Sequence, residues 1–253
     1  MLPSLQGKNI LVTREAGQAE LFAKQINQSG GNPVIVPLLK ITCKESDKAR
    51  EILTNLSHYN WIFFTSANGV DCFFDLRSGI DSNSVRIHAN IATVGEKTSI
   101  ALQEYGYKAN FTPKLYNANT MATDFLQEYT NPGRILLIRG NRSRSVLPEE
   151  FRKHGIRFDT LEVYDTHFNF ARKKQLNQEL RENEIDYITF TSPSTVEAFC
   201  EMVDGIPKTV PCICIGSTTS KRAEELGFQY ILTPETFTIE GMIHCIRDHI
   251  KKG

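Results

Sequence analysis

Short runs of mostly apolar residues recur along the chain, and amphipathic stretches separate them. The runs lie at residues 10–12, 61–64, 91–94, 135–138, 187–190 and 212–215. Continuous runs of this kind are typical of parallel strands, because helices cover both faces of a parallel sheet. After the first run, Ala19, Phe22, Ala23 and Ile26 follow the spacing of one helix face. The alternation predicts βαβ units, and therefore an α/β protein with doubly wound, mostly parallel sheets.

The pattern occurs twice. Residues 10–14 (ILVTR) resemble residues 135–139 (ILLIR), which lie 125 positions later. The later matches are residues 61–66 with 187–192, at 126 positions, and residues 91–95 with 212–216, at 121 positions. A repeat of this length is a whole domain and is much longer than the repeat of a solenoid. We therefore expect two similar α/β domains.

Two extended runs differ from the other strands. Residues 38–42 and 161–165 each follow the second strand of a repeat directly, and neither leads into a helix of the βαβ kind. They are candidates for the connections between the domains. The residues alone leave open whether the domains follow one another in tandem or exchange their first βαβ units.

Candidate ligand-binding residues lie where strands become helices, because ligands of open α/β sheets bind outside the carboxyl ends of the strands. Four such turns are small, polar and matched in pairs. Backbone N–H groups at a helix start bind anions, and hydroxyls add further donors. Helix capping by Ser or Thr remains the alternative for each turn. The candidates are Thr65, Ser66, Asn68, Gly95, Lys97, Thr191, Ser192, Gly216, Ser217, Thr218 and Thr219.

Arginines follow the equivalent first strands of the two repeats. Arg14 is the counterpart of Arg139, and Arg139, Arg142 and Arg144 lie within six residues. The forked guanidinium group suits carboxylates, so Arg14, Arg139 and Arg142 are candidates for binding them. A solvated loop is the alternative.

Composition excludes several other classes. The 29 basic residues balance the 29 acidic ones, which argues against a general nucleic-acid binder. No glycine-rich nucleotide loop and no HExxH pattern occurs, and the six cysteines form no CxxC unit, so we expect no metal site. The start of the chain does not resemble a signal peptide, no apolar run approaches about 18 residues, and all six cysteines are expected to be reduced thiols.

A set of individually weak motifs covers nearly the whole chain in a specific order. The motifs are VTR at 12–14, FTSANGV at 64–70, IATVG at 91–95, RGNR at 139–142, VYDT at 163–166, FTSPSTV at 190–196, IGSTT at 215–219, TP at 233–234 and TIEGM at 238–242. Together they resemble the uroporphyrinogen-III synthase family. The turn at 217–219 departs from that family's pattern, which often has a proline before the threonine.

The resemblance implies a domain arrangement that the residues alone left open. The family has two similar α/β domains joined by a two-stranded linker, and its first βαβ unit packs with the C-terminal half. Here that implies one discontinuous domain at 1–37 plus 166–253 and a second at 40–163. The linkers would lie near 37–42 and 161–166.

The resemblance also implies an activity. Members of the family are carbon–oxygen lyases of haem biosynthesis that take hydroxymethylbilane, a linear tetrapyrrole with eight carboxylates. They remove its hydroxyl, invert ring D and close the macrocycle to uroporphyrinogen III without a cofactor. The implied protein is cytoplasmic and monomeric, with no nucleic-acid or membrane partner. The family pattern adds Thr238 to the substrate-binding candidates.

Tyr164 is the best candidate for chemistry, because the resemblance places it at the family's linker tyrosine. Its phenol would help the substrate hydroxyl to leave as water, by hydrogen bonding or proton donation. A packing role at the domain junction is the alternative. Two other classes fit the pattern less well: a non-catalytic two-lobed solute-binding protein, and a family-like domain kept as a regulator or subunit.

Overall fold

A computed structural model describes residues 4–79, 87–113, 118–207 and 209–252. The strands are β1 Asn9–Val12, β2 Asn32–Ile35, β3 Leu39–Cys43, β4 Trp61–Phe64, β5 Asn90–Thr93, β6 Ile135–Gly140, β7 Phe158–Phe168, β8 Tyr187–Phe190, β9 Cys212–Cys214 and β10 Ile231–Leu232. The helices are α1 Ala16–Gln28, α2 Asp47–Thr54, α3 Ala67–Ser78, α4 Glu96–Glu104, α5 Ala118–Glu128, α6 Val146–Lys153, α7 Lys173–Glu182, α8 Pro193–Met202, α9 Ser217–Glu225 and α10 Ile239–Lys252. Short 3-10 helices lie at Leu56–His58 and Phe170–Arg172.

The chain divides into two compact units. The first consists of Met1–Lys40 with His167–Gly253, and the second is Ile41–Thr166. β3 and β7 each cross a boundary between the units, and they are neighbours in one sheet. The exact domain bounds and the linkers near 37–42 and 161–166 stay predictions.

The sheet of the first unit has the order β10-β9-β8-β1-β2, and its paired strands are parallel. From β1 the chain moves outward to β2, and from β8 it moves outward in the other direction, so the order reverses between β1 and β8. Two threonine hydroxyls join these central strands: Thr13 donates to the Thr189 carbonyl at 2.6 Å, and Thr189 donates to the Leu11 carbonyl at 2.8 Å.

The second sheet has the order β3-β7-β6-β4-β5, in which β5, β4, β6 and β7 pair in parallel. Its order reverses between β4 and β6. Such a reversal opens a crevice at the carboxyl ends of the two central strands, where open α/β sheets bind their ligands. The predicted class of two doubly wound, mostly parallel α/β sheets is therefore confirmed.

Strand β4 shows why its sequence has no polar position. Phe63 is fully buried on one face, edge-on to Phe125 at 4.7 Å and to Phe151 at 5.3 Å between ring centroids. Phe64 is fully buried on the other face, edge-on to Phe73 at 5.2 Å. Both faces are covered by helices, so both alternating sets of side chains must be apolar.

The repeat seen in the sequence also appears in the local geometry of the two units. Gly30 and Gly155, 125 residues apart, both have left-handed backbone with φ of +75° and +68° after a helix. At a spacing of 121 residues, Ser99 pairs its hydroxyl with Thr112 at 3.3 Å and Ser220 pairs its own with Thr233 at 2.5 Å. Equivalent turns thus have equivalent geometry in both units.

The expectation that all six cysteines are reduced thiols is wrong for two of them. Cys43 on β3 and Cys72 on α3 form a disulfide. They are 29 residues apart in the chain, and only the packing of α3 beside β3 brings them together, so no sequence spacing signalled the pair. Cys212 and Cys214 are free and fully buried in the core.

This disulfide should contribute measurably to stability. A cross-link over 29 residues restricts the unfolded chain by an amount worth about 3.6 kcal/mol. Cys43→Ser should therefore lower the free energy of unfolding by about that amount without reductant, and should match the parent in reductant. Cys200→Ser, at a free thiol, should show no such dependence on reductant. Intact mass spectrometry showing two free thiols at Cys43 and Cys72 without reductant would contradict the cross-link.

Candidate functional site

A pocket of about 290 Å³ lies at the carboxyl ends of β4 and β6, where the order of the second sheet reverses. Its position is the one that the topology of an open sheet favours for a ligand. The pocket lies entirely within the second unit. It is lined by Thr65, Val94, Leu137, Arg139, Arg142, Ser143, Arg144, Leu147, Tyr164 and Thr166.

Tyr164 reaches this pocket because β7 is irregular. Arg139 pairs with Glu162, but the next residue, Gly140, pairs with Tyr164, so β7 has one extra residue at this point. A bulge of this kind re-aims side chains and is common beside active sites. Gly140 makes room for the ring, since a Cβ there would lie 2.3 Å from Tyr164 Cε2.

The hydroxyl of Tyr164 lies at the start of α3. Its Oη is 2.9 Å from Ser66 Oγ, and Ser66 is the N-cap of α3, where its Oγ accepts from the Gly69 N–H at 3.0 Å. The tyrosine is only 8% exposed, and it is one of the residues that line the pocket. The protein thus holds the phenol at the helix start while the side chain borders the pocket.

The pocket is positively charged. Arg139 is half-buried, and its Nη2 donates to the Ser143 carbonyl at 2.5 Å. Its Nε is buried without a hydrogen-bond partner among the described residues. Arg142 and Arg144 are exposed on the loop after β6, and the described lining contains no Asp or Glu. The arrangement can accept a carboxylate, since a buried N–H donor without a partner is costly.

The other candidates of the second unit lie at the same edge of the sheet. Thr65 follows β4 and donates to the Ile138 carbonyl at 3.1 Å, which joins the two strands that flank the pocket. Asn68 lies in the first turn of α3, Gly95 is the N-cap of α4, and Lys97 lies in its first turn. None of these three belongs to the described lining of the pocket.

In the first unit, the candidates follow β1 and β8. Arg14 contacts Gln18, and burial lowers the pKa of its guanidinium from the ordinary value. Ser192 and Thr195 form a capping box at the start of α8, with Thr191 directly before it. The hydroxyl of Ser192 therefore already has a structural partner.

The candidates around α9 and α10 form a second group in the first unit. Gly216 is the N-cap of α9, and Ser217, Thr218 and Thr219 make its first turn. Thr238 Oγ1 accepts from the Gly241 N–H at 3.0 Å at the start of α10. Phe237, which is 60% exposed, packs over Gly216, and sequence analysis gave no reason to single it out.

Gly140, Ser143, Arg144 and Thr166 were missed as site candidates, along with the apolar lining residues Val94, Leu137 and Leu147. Gly140 leaves room for the Tyr164 ring, and the Ser143 carbonyl accepts from Arg139. Arg144 lines the pocket together with Arg142, and Thr166 lines it two residues after Tyr164. The arginine cluster and the VYDT motif contained the signal for Arg144 and Thr166. Nothing in the sequence indicated the bulge that gives Gly140 its role.

Two further properties of the described residues bear on the class of the protein. No group of three or more His, Cys, Asp and Glu side chains is placed to hold a metal ion within the described part of the chain. None of the described helices is long and apolar enough to cross a membrane.

The fold and the pocket define a two-unit α/β protein with a phenol and arginines at a strand-order reversal. Residues 20–244 match the family model described as uroporphyrinogen-III synthase HemD. The chain belongs to this family, and is therefore an enzyme of the uroporphyrinogen-III synthase class that acts in porphyrin biosynthesis. The family resemblance seen in the motifs is confirmed.

Relatives and solved structures agree. The chain is 30% identical over 96% of its length to "Porphyrin biosynthesis protein HemD" of Ruminiclostridium josui, but spans only 49% of that protein. It is 27% identical over 96% of its length to all of a uroporphyrinogen-III synthase from Chlorobaculum parvum.

Crystal structures of uroporphyrinogen-III synthases share the fold. A mutant enzyme from Thermus thermophilus matches with a TM-score of 0.65 at 17% identity, over 97% of this chain and 100% of that one. The enzyme from Helicobacter pylori also gives 0.65, at 19% identity, over 94% and 96%. At these identities the match shows the fold alone.

Proposed function

We propose that the chain converts hydroxymethylbilane to uroporphyrinogen III, with the Tyr164 pocket as the place where the substrate loses its hydroxyl. The observation that carries this proposal is a phenol and three arginines lining one pocket of the second unit, with no carboxylate in its described lining. The hydroxyl of the substrate needs a proton to leave as water, and the carboxylates of the substrate need positive charge to bind them. The pocket supplies both kinds of group.

The arginines bind acid side chains of the substrate. Arg139 offers a buried Nε without a partner among the described residues, and Arg142 and Arg144 lie beside it in the lining. A carboxylate that accepts from a guanidinium forms a strong, oriented hydrogen bond. Because one such contact fixes a pyrrole ring in the pocket, it also fixes the carbon that bears the leaving hydroxyl.

Tyr164 assists the departure of that hydroxyl. Electrons from the pyrrole nitrogen help to break the C–O bond, and the leaving oxygen takes the phenol proton and departs as water. The terminal pyrrole then attacks the resulting cationic carbon through its substituted position, and rearrangement and ring closure follow. Loss of the last pyrrole proton can return the proton to the phenolate, so the enzyme ends unchanged.

The remaining candidates hold the chain of pyrroles in a reactive shape. The helix starts at Thr65–Asn68 and Gly95–Lys97 in the second unit, and those at Thr191, Ser192, Gly216–Thr219 and Thr238 in the first, offer backbone N–H groups to other carboxylates. Arg14 is a further carboxylate site. Holding reacting atoms in place is worth several orders of magnitude in rate, so this chemistry needs no cofactor in the proposal.

The cellular setting is part of the proposal. We place the enzyme in the cytoplasm as a monomer, without a nucleic-acid or membrane partner. The balanced charge of 29 basic and 29 acidic residues supports the absence of nucleic acid. The Cys43–Cys72 disulfide is unusual for a reducing compartment, so its oxidation state in cells is a direct check of the location.

The test uses the purified chain and freshly made hydroxymethylbilane, without added cofactor or metal. The products are separated as isomers after oxidation to porphyrins. Spontaneous closure gives the unrearranged isomer I, so a majority of isomer III demonstrates the activity. If isomer I is the only product, the chain lacks the activity and is a carboxylate-binding protein. Direct titration with the cyclised product would then show the binding.

A further inference from the structure

We infer that Ser66 is a positioning residue for Tyr164: its hydroxyl donates to Tyr164 Oη, so the phenol keeps its own proton for the substrate. The two oxygens are 2.9 Å apart, and either could be the donor on distance alone. This inference rests on the proposed role of Tyr164 and gives the serine a different task from direct substrate binding.

The count of donors and acceptors among the described residues favours this direction. Ser66 Oγ already accepts from the Gly69 N–H at 3.0 Å. If Tyr164 also donated to it, the serine proton would have no acceptor among the described residues, and the phenol would have no proton left for the pocket. If Ser66 donates instead, its oxygen accepts one hydrogen bond and its hydroxyl makes one, which satisfies the group.

The start of α3 strengthens this arrangement. Ser66 caps a helix of 12 residues, and the hydroxyl of Ser66 connects Tyr164 Oη to the N-terminus of that helix. The N-terminus of a helix carries partial positive charge and favours negative charge nearby. Negative charge develops on the phenol oxygen as it gives up its proton, so the helix end and the serine both stabilise the reacting state.

Two glycines hold the ring in this position. Gly140 leaves space that a Cβ would take at 2.3 Å from Tyr164 Cε2, and a Cβ at Gly69 would lie 3.7 Å from Tyr164 Cε1. The ring is therefore packed between the backbone of β6 and the first turn of α3. Close packing on both sides limits the phenol to a narrow range of positions, with Ser66 as its hydrogen-bond partner.

The internal repeat provides a comparison within the same chain. Ser192, 126 residues after Ser66, caps α8 in the first unit with the same geometry. The residue equivalent to Tyr164 in the first unit is Leu39, which has no hydroxyl. Capping by serine is thus common to both repeats, whereas the contact with a phenol belongs to one. The contact is not needed to build the fold, which points to a role in the reaction.

The test is Ser66→Gly, because glycine is nearly as good an N-cap as serine but has no hydroxyl. We expect kcat for isomer III to fall about tenfold, the scale of one lost hydrogen bond, with KM within about twofold of the parent and only a small drop in the thermal midpoint. Ser66→Thr keeps the hydroxyl and should restore most of kcat. Ser46→Gly removes the matched N-cap of α2, whose Oγ accepts from the Ala49 N–H, and should leave kcat unchanged.

The same change made in a Tyr164→Phe enzyme separates this inference from the proposed function. If Ser66 acts through Tyr164, Ser66→Gly should lower kcat little further in a Tyr164→Phe enzyme. A full tenfold loss in that background, or parental kcat in Ser66→Gly alone, would overturn the role of Ser66 while leaving that of Tyr164. Full turnover by Tyr164→Phe alone would overturn both.

Discussion

Replacing Tyr164 by phenylalanine should lower kcat for isomer III by about 100-fold, the low end of what a positioned proton donor contributes. The ring stays in place, because its packing against Gly140 does not depend on the hydroxyl. Binding of the carboxylates by the arginines also stays, so KM should change little. The measurement is the initial rate of isomer III formation, with isomer I from spontaneous closure subtracted.

Tyr59 provides the matched control. It is also a buried tyrosine of the second unit, and its hydroxyl donates to Asp159 Oδ2 at 2.9 Å. Burial and this carboxylate raise the pKa of Tyr59 to about 12, so its phenol stays neutral in any practical assay. Tyr59→Phe should cost about 1 kcal/mol of stability with unchanged kcat. Equal kcat losses in the two variants would show that Tyr164→Phe acts through the fold, not through the proton.

The fold could be predicted because its signals are local and repeated. The apolar run at β4 is uninterrupted since both of its faces are covered, and that pattern is visible without a structure. The serines that begin α3 and α8 occur at matched positions, which located the turns that carry site candidates. Family motifs then supplied Tyr164, which no periodicity would have selected.

The site itself depends on features that are not local. The extra residue in β7 places Tyr164 opposite Gly140, and a bulge leaves no mark in hydrophobic alternation. The Cys43–Cys72 disulfide depends on how α3 packs beside β3. The contact between Ser66 and Tyr164 joins residues 98 positions apart, so the serine appeared in the sequence only as one of several similar turn residues.

The largest loss should come from Gly140→Ala, which adds a single methyl group. That Cβ would lie 2.3 Å from Tyr164 Cε2 and 2.8 Å from its Oη, closer than side chains tolerate, so the ring must move. A displaced ring loses both its hydrogen bond to Ser66 and its place in the pocket. We expect kcat to fall by at least about 100-fold, together with a stability loss of about 1–3 kcal/mol from overpacking.

Gly79→Ala is the matched control, because the nearest atom to its Cβ is the Leu76 carbonyl oxygen at 3.6 Å and its φ of −79° suits alanine. It should keep parental kcat and stability. The stability cost of Gly140→Ala should largely vanish in a Tyr164→Ala background, where no ring opposes the methyl group. If the cost persists there, the glycine serves the backbone of β6; if it disappears, the site requires glycine at 140 because the tyrosine needs the space.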